Sequence, residues 1–427
     1  MSEEVTETRT FKVQGTGKRT QSMKILMIAP EPVMAPRGTP ISVAQRLRAL
    51  SSLGHEVDLL TYPLGDPLKI PNVTIHRSLR VPGISDIKPG PSWRKAVLDI
   101  FLFTKAIGML ARNRYDAIHS HEEAAFFAAA MAPLFRTKHI YDMHSSLPRQ
   151  LLNFVYGRIR PLVSLFSILE NWTLKRADVV ITIDPDLADY VAKTSPDTPH
   201  VMIENLPVQA TANGNTPAHD VSGLRDKLGI NGKLPIVYTG NFAGYQGLDL
   251  LVDAAELVCR ENPNVVFVMV GGIPHRIEYW KEVVRERGLE NEFRFVGSVD
   301  VQDVPSYLEL AAILVSPRIE GTQVPLKIYS YMHSGKPIVA TRVHSHTQVL
   351  DDSMSLLAAP SKEDFAAAIG RLVAEPELRD QLGRSAYCSV SVRSNFPDYV
   401  QNVEWAVHLL NGFEQVTPTP IVKAENI

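Results

Sequence analysis

The sequence predicts an α/β protein of two doubly wound, mostly parallel sheets, and three observations carry that prediction. Short apolar segments alternate with helical patterns from residue 24 to residue 410, as parallel strands joined by crossover helices do. The rhythm runs twice, interrupted by the polar, Gly- and Pro-bearing run QATANGNTPAHDVS at 209–222. At 427 residues the chain also exceeds a single core of ordinary size, so two domains are expected.

The first domain is expected over 23–208. Its strands are the apolar runs KILMIAP (24–30), HEVDLLTY (55–62), NVTIHRS (72–78), DAIHSH (116–121), HIYDMH (139–144), VVITI (179–183) and HVMIEN (200–205). Helical spacing of apolar residues places helices near 41–53, 93–112 and 123–133, then a long helical stretch ending at Arg176. After the linker at 209–222, the second domain (223–395) repeats the pattern with strands PIVYTG (235–240), VVFVMVGG (265–272), FRFVG (293–297), AILVSP (312–317), PIVAT (337–341) and SLLAA (355–359). Helices are expected from Leu248, near 277–288, after Asp303 and near 325–333. A closing helix is expected at 396–412, and 1–22 and 413–427 read as polar tails.

Composition narrows the function classes. Apolar residues make up 45% and charged residues 21%, and 44 basic against 46 acidic residues leave a net charge of −2, so no nucleic acid partner is called for. Cys259 and Cys388 lie in helical contexts with no CxxC and no His pair beside them, which argues against a disulfide scaffold and fits a cytoplasmic protein. Met1–Ser22 has no apolar core of the secretory kind. The most apolar stretches, 96–110 and 151–169, are interrupted by Asp99 and Lys105, and by Arg158, Arg160 and Pro161, and fall short of the ~20 apolar residues of a spanning helix.

One stretch carries most of the chemistry: SPRIEGTQVPLKIYSYMHSGKPIVATRVHSH, 316–346. A strand ends in a loop with Arg318, Glu320, Gly321, Thr322 and Gln323, then runs into a helix with Pro325 and Lys327 in its first turn. Open α/β sheets bind ligands beyond the carboxyl ends of their strands, where the next helix offers unpaired N–H groups to an anion. A carboxylate for hydroxyls and a lysine for phosphate suit a sugar nucleotide. An ordinary strand–loop–helix joint with solvated Glu and Lys gives the same sequence.

With these residues in hand, the chain resembles the retaining GT-B glycosyltransferases, specifically glycosyltransferase family four, over about 23–410. The motifs are PEPVMAPRGTPISVAQRLRALSSLGHEVDLLTY, DAIHSH, YDMHSS and ENLP, then YTGNFAGYQGLDLLVDA, VMVGG, FRFVG and PLKIYSYMHSGKPIVAT. The resemblance implies two Rossmann-like domains facing each other across a cleft, acceptor domain first and donor domain second. It implies that Gly38, in Arg37-Gly38-Thr39, lets backbone approach the donor pyrophosphate, and that His144 hydrogen-bonds the donor sugar. Gly271 and Gly272 would permit close approach of the nucleotide, though such a pair is also common turn chemistry. His119 and His121 share a strand face and read equally as structural or functional.

Two departures set the chain apart. The family's second carboxylate, which follows Glu320 after seven intervening residues, is here Ile328, and the Glu of the PLKxxEY variant is Ser330. The family's arginine and lysine that neutralise the leaving diphosphate correspond to Asn241 and Gln246. Lys327 and Arg318 are the available substitutes, and Lys327 is the expected one. The resemblance thus implies a retaining hexosyltransferase using a nucleotide sugar, with His144, Lys327 and Glu320 at the reaction centre. With no DxD motif, neither metal nor other cofactor is expected. A GT-B binding or scaffold protein that has lost turnover is the alternative. Trp93, Arg94, Lys95, Ile100, Phe101 and Phe103, and then Arg149, Phe154, Tyr156, Arg158, Arg160, Phe166, Trp172, Lys175 and Arg176, mix aromatic and basic character. They suit contact with the inner face of the cytoplasmic membrane and a lipid or polyprenyl-linked acceptor.

Overall fold

The computed structural model describes residues 21–33, 38–65, 68–84, 87, 92–152, 160–207, 220–393 and 395–411. The chain divides into two compact units, one of residues 1–204 and 397–427, the other of 205–396. Arg37, residues 209–219 of the expected linker, and Phe154, Tyr156 and Arg158 lie outside the described residues.

In the first unit the order is β1 (Lys24–Ala29), α1 (Gly38–Ser52), β2 (Glu56–Thr61), β3 (Val73–Arg77), α2 (Trp93–Arg112), β4 (Ala117–His121), α3 (Ala124–Phe135) and β5 (Lys138–Met143). It continues through α4 (Leu147–Leu152), α5 (Arg160–Arg176), β6 (Val179–Thr182), α6 (Pro185–Thr194) and β7 (His200–Met202). The seven strands pair in the order β3-β2-β1-β4-β5-β6-β7, all parallel. β1 is central and covered on both faces: Ile25, Leu26, Met27 and Ile28 are all 0% exposed, which is why it reads as an unbroken apolar run rather than an alternating one. Truncating any of them to Ala is expected to destabilise by about 2–5 kcal/mol.

The second unit runs α7 (Val221–Leu228), β8 (Leu234–Thr239), α8 (Leu248–Glu261), β9 (Val265–Val270), α9 (Pro274–Glu286), β10 (Phe293–Gly297), α10 (Val304–Leu310) and β11 (Ile313–Ser316). Then come α11 (Leu326–His333), β12 (Ile338–Thr341), α12 (His344–Thr347), β13 (Leu356–Ala358), α13 (Lys362–Ala374) and α14 (Pro376–Arg393). Its six strands pair in the order β10-β9-β8-β11-β12-β13, again all parallel. The last helix, α15 (Phe396–Leu409), counts with the first unit from Pro397 onward, and its buried Tyr399 ring lies 5.2 Å from the Arg46 guanidinium on α1.

Several expectations are corrected. Among the described residues, the long helical stretch before residue 176 is represented by α4 and α5. The run HVMIEN pairs over only three residues, because β7 is an edge strand with β6 as its single neighbour. α6, α7, α12, α13 and α14 had no sequence expectation, and α7 begins at Val221, inside the run expected as linker. α1 begins at Gly38, three residues before the apolar periodicity, since Pro40 is tolerated in a first turn.

Candidate active site

In both sheets the strand order reverses beside the first strand, between β1 and β4 and between β8 and β11. Chain connections diverge there, leaving a crevice at the carboxyl ends of the strands where a ligand can meet backbone and side chains. The candidate residues collect at these two points.

At the switch point of the second unit, Tyr331 on α11 fixes the crevice. Its hydroxyl accepts from the Thr239 N–H at 2.8 Å and lies 3.5 Å from the Val315 carbonyl, so one side chain clips β8 to β11. Lys327, one turn earlier, is half-buried. Its Nζ donates to Gln246 Oε1 at 3.1 Å and sits 4.1 Å from the Tyr238 ring centroid. Burial, reinforced by the neighbouring Arg318 charge, holds the Lys327 amine well below the usual lysine range. An anion arriving there would favour the protonated amine. The lysine therefore reaches the residue that stands at the family's missing cation position.

The flanking loop is tightly built. Arg318 Nε donates to the Glu320 carbonyl at 2.6 Å and its guanidinium lies 5.3 Å from the Tyr245 ring. Gly321 has φ +117°, and a Cβ there would meet the Arg318 guanidinium at 2.0 Å. Glu320 is exposed, and Thr322 and Gln323 are half-buried, with the Thr322 carbonyl accepting from Gln348 at 2.6 Å. Exposed Asn241 caps its own turn, its Oδ1 accepting from the Ala243 N–H at 3.2 Å and its Nδ2 donating to Tyr245 at 3.1 Å. Ile328 is 0% exposed in the core, so a carboxylate there would be buried rather than presented to a ribose. His346 completes the floor: Nδ1–H donates to the Thr341 carbonyl at 2.8 Å, leaving Nε2 to accept from Ser316 at 2.9 Å.

Gly271 and Gly272 serve this packing. At Gly271 a Cβ would lie 2.1 Å from the Gly240 carbonyl oxygen, and at Gly272 it would lie 2.6 Å from the Phe242 ring. Close approach of the loop after β8 accounts for both glycines without a nucleotide.

At the switch point of the first unit, Gly38 opens α1, and a Cβ there would meet nothing within 4 Å. His144 directly follows β5, at the strand end as the sequence places it, and is 5% exposed. Its Nε2 hydrogen-bonds His121 Nδ1 at 2.9 Å, while its Nδ1 is buried with no partner among the described residues. His119 and His121 do share a face, rings stacked at 4.9 Å, and His119 Nε2 lies 3.1 Å from Asp142 Oδ2. Arg46 donates to the same oxygen at 2.8 Å. Burial opposes ionisation of Asp142, but Arg46 and the imidazoles hold it well below the carboxylate range. Burial also keeps the imidazoles neutral, with His144 pushed down to about 4. His119, His121 and Asp142 offer three ligand atoms within 4.8 Å of one another. Arg46 already neutralises that carboxylate, and a divalent ion would have to sit beside a buried guanidinium.

Sequence reasoning missed Arg46, Asp142 and Glu122. Glu122 adopts φ +49°, rare for a residue with a side chain, immediately after β4. Its carboxylate accepts from Thr39 at 3.2 Å and Ser145 at 3.3 Å, and burial, opposed by Lys95 but aided by Glu123 and Glu31, pushes it up to about 7. Its position directly after the DAIHSH strand was the available signal. Lys95 is no surface cation: its Nζ lies 2.7 Å from Glu123 and 3.5 Å from Glu31. Arg149 is likewise engaged, 2.5 Å from Asp186.

Comparison with known proteins bears on the family and the fold. The family model described as Glycosyltransferase Family 4 matches residues 36–205, and that described as Glycosyl transferases group 1 matches residues 233–375. An alpha-D-kanosaminyltransferase of Streptomyces kanamyceticus is 23% identical over 65% of this chain and 73% of its own. A phosphatidyl-myo-inositol mannosyltransferase of Mycolicibacterium smegmatis is 22% identical over 84% of this chain and 86% of its own. Among solved structures, sucrose-phosphate synthase of Thermosynechococcus elongatus superposes with a TM-score of 0.72 at 20% identity, covering 91% of this chain and 99% of its own. Anabaena HepE in complex with UDP and glucose gives 0.70 at 16% identity, covering 90% and 99%.

Proposed function

The chain belongs to the family-four glycosyltransferases of GT-B fold, and from that premise we propose that it moves a sugar from a nucleotide-sugar donor to an acceptor hydroxyl with retention, the acceptor being a lipid or lipid-linked glycan. The observation that carries the donor is the contact of Lys327 with Gln246 at the switch point of the second unit, with Arg318 beside it. A departing nucleoside diphosphate develops negative charge, and preorganised donors at such a position are worth about 3 kcal/mol each. Lys327 supplies the charge that Asn241 and Gln246 cannot. The complex of HepE with UDP and glucose supports a nucleotide sugar, and the mannosyltransferase relative supports a lipid acceptor.

In the reaction so read, the bond from the anomeric carbon to the diphosphate breaks as the acceptor oxygen bonds the same face, and the acceptor proton passes to the departing diphosphate oxygen. Arg318 and Lys327 receive the diphosphate, and the Gly321-Thr322-Gln323 loop with Glu320 receives the sugar. In the first unit, His144 holds a spare hydrogen-bonding atom, its buried Nδ1, and Glu122 holds a carboxylate for the acceptor. No step requires a metal ion. The test is incubation with a panel of nucleotide sugars, with and without membrane lipid extract, reading nucleoside diphosphate release by mass spectrometry. One donor should be slowly hydrolysed alone and consumed faster with lipid. Consumption of no donor under either condition would refute the reading.

A further inference from the structure

Three helices of the first unit present an outer face unlike the rest of the surface. α2, α3 and α5 follow β3, β4 and β5, stepping one way along the sheet, so right-handed crossovers set them on one side of it. Phe103 of α2 stacks on Phe127 of α3 at 4.8 Å, and Phe126 of α3 meets Phe166 of α5 at 6.2 Å. They form one continuous layer.

Among the described residues, six of the twelve exposed large apolar side chains fall on this layer. Trp93, Ile100 and Ile107 recur every seven residues along α2 and are 70%, 64% and 45% exposed. Leu134 at the end of α3 is 72% exposed, and Leu165 and Ile168 on α5 are 51% and 66% exposed. A helix that merely covers a sheet keeps its apolar stripe inward, and α2 already does so with Leu98, Leu102 and Ala106. The outer row is a second stripe.

The charges are as one-sided. Exposed charged residues on the three helices are Arg94, Arg112, Arg160, Lys175 and Arg176, and none is acidic. The carboxylates that these helices carry point inward, Asp99 to Tyr62 at 2.5 Å and Glu170 to Ser146 at 2.8 Å. Arg94 lies 5.7 Å from the Trp93 ring and Arg176 lies 5.2 Å from the Trp172 ring. Outer helices of the second unit differ: α9 pairs Lys281 with Glu278 at 3.0 Å, and α13 carries Arg371, 3.2 Å from Glu375. The whole chain has a net charge of −2, so an acid-free basic layer is local.

We propose that the outer face of α2, α3 and α5 is a docking surface for an anionic lipid bilayer, its apolar row entering the interface and its arginines and lysines meeting the headgroups. Apolar side chains flanked by basic residues and Trp on one helical layer suit that boundary. Each basic side chain near such a surface strengthens binding about fivefold at modest ionic strength. The inference deepens the lipid-acceptor reading and rests on it for the purpose of the contact.

The test is co-sedimentation of the full chain with vesicles of phosphatidylcholine alone and of phosphatidylcholine containing phosphatidylglycerol. The expected result is binding to the anionic vesicles that weakens with salt, little binding to neutral ones, and a blue shift of Trp fluorescence. Ile100→Ser with Ile168→Ser should weaken binding at least tenfold, and Arg112→Gln with Arg176→Gln, which neutralises two of the five exposed basic residues, should weaken binding to anionic vesicles at least tenfold and reduce its salt dependence. Both double variants alter exposed side chains, and their unfolding transitions verify that they fold. Absent binding, equal binding to both vesicles, or undiminished binding by the variants would overturn the proposal. So would a wild-type dimer that the Ile100 and Ile168 changes dissociate, which would make a second copy the occupant. Binding as expected by an enzyme that transfers sugar only to soluble acceptors would keep the surface and remove the lipid-acceptor reading.

Discussion

Lys327 and His144 are titratable side chains held where their charged forms are disfavoured. Burial beside Arg318 lowers the Lys327 amine, and burial keeps His144 neutral. A neutral imidazole with Nε2 engaged and Nδ1 unpartnered is set to make one further hydrogen bond. His144→Ala should lower nucleoside diphosphate release by about a hundredfold, the scale of losing one preorganised donor. Because His121 would lose its partner inside the core, stability should fall as well, by about 1–3 kcal/mol in denaturant unfolding. The sequence pointed to His144 as a group at the end of its strand but not to its place in a buried network. The difference lies in Arg46 and Asp142, which draw the strand end into a buried network that no local pattern announces.

Among the elements, those with continuous apolar runs were legible, whereas the missed ones include both a lightly held helix, α6, and a well-packed one, α13, which buries Phe365, Ala366, Ile369 and Leu372. α2 was read to the residue, with Ser92 capping the Lys95 N–H at 3.2 Å. α6 was missed although Asp184 and Pro185 give it a proper start, because Leu187 and Val191 are its only buried side chains. The loop joints of the second unit were legible as glycines but not as contacts. Gly247 has φ +70°, and a Cβ there would lie 2.0 Å from the Pro317 carbonyl oxygen, so the loop carrying Gln246 is seated on the loop carrying Arg318. Gly247→Ala should cost about 2–4 kcal/mol in thermal unfolding and weaken nucleotide binding, through left-handed strain and overpacking together. Gly244→Ala, where a Cβ meets nothing within 4 Å, serves as the comparison and should change stability by less than about 0.5 kcal/mol. Equal stability of the two variants would show that the joint yields without strain.

At the scale of the whole molecule, the double α/β rhythm and the family motifs made the architecture legible, while the basic apolar layer on α2, α3 and α5 needed coordinates to tell inner from outer faces. Charge burial also divides the units. The first holds His119, His121, His139 and His144 neutral by burial, the last two pushed down to about 3 and 4, and the second holds His346 at about 3. A depressed folded-state histidine pKa means that the unfolded chain binds the extra proton once the pH falls below about 6.5. Stability is therefore lost from there downward, by at most about 1.4 kcal/mol per histidine per pH unit, and Asp142 adds a further loss only below about pH 4. In the first unit Glu122 and Asp99, both pushed up to about 7, take up protons in the folded state over the same range and offset part of that loss, so calorimetry at pH 7.5 and 5.5 should show Glu122→Gln losing more stability on acidification than the unaltered chain. Equal losses would mean that Glu122 takes up no proton in this range.

The central claim is that Lys327 carries the diphosphate charge in a working glycosyltransferase, and the most direct measurement is nucleoside diphosphate release by Lys327→Glu, alone and combined with Asn241→Arg and Gln246→Lys. Reversing the charge beside Gln246 should depress release by a hundredfold or more, on the order of 3 kcal/mol of lost transition-state stabilisation, and should weaken nucleoside diphosphate binding less. Restoring cations at 241 and 246 should recover much of that loss. Near wild-type release by Lys327→Glu alone would contradict the claim and place neutralisation of the leaving group elsewhere in the site.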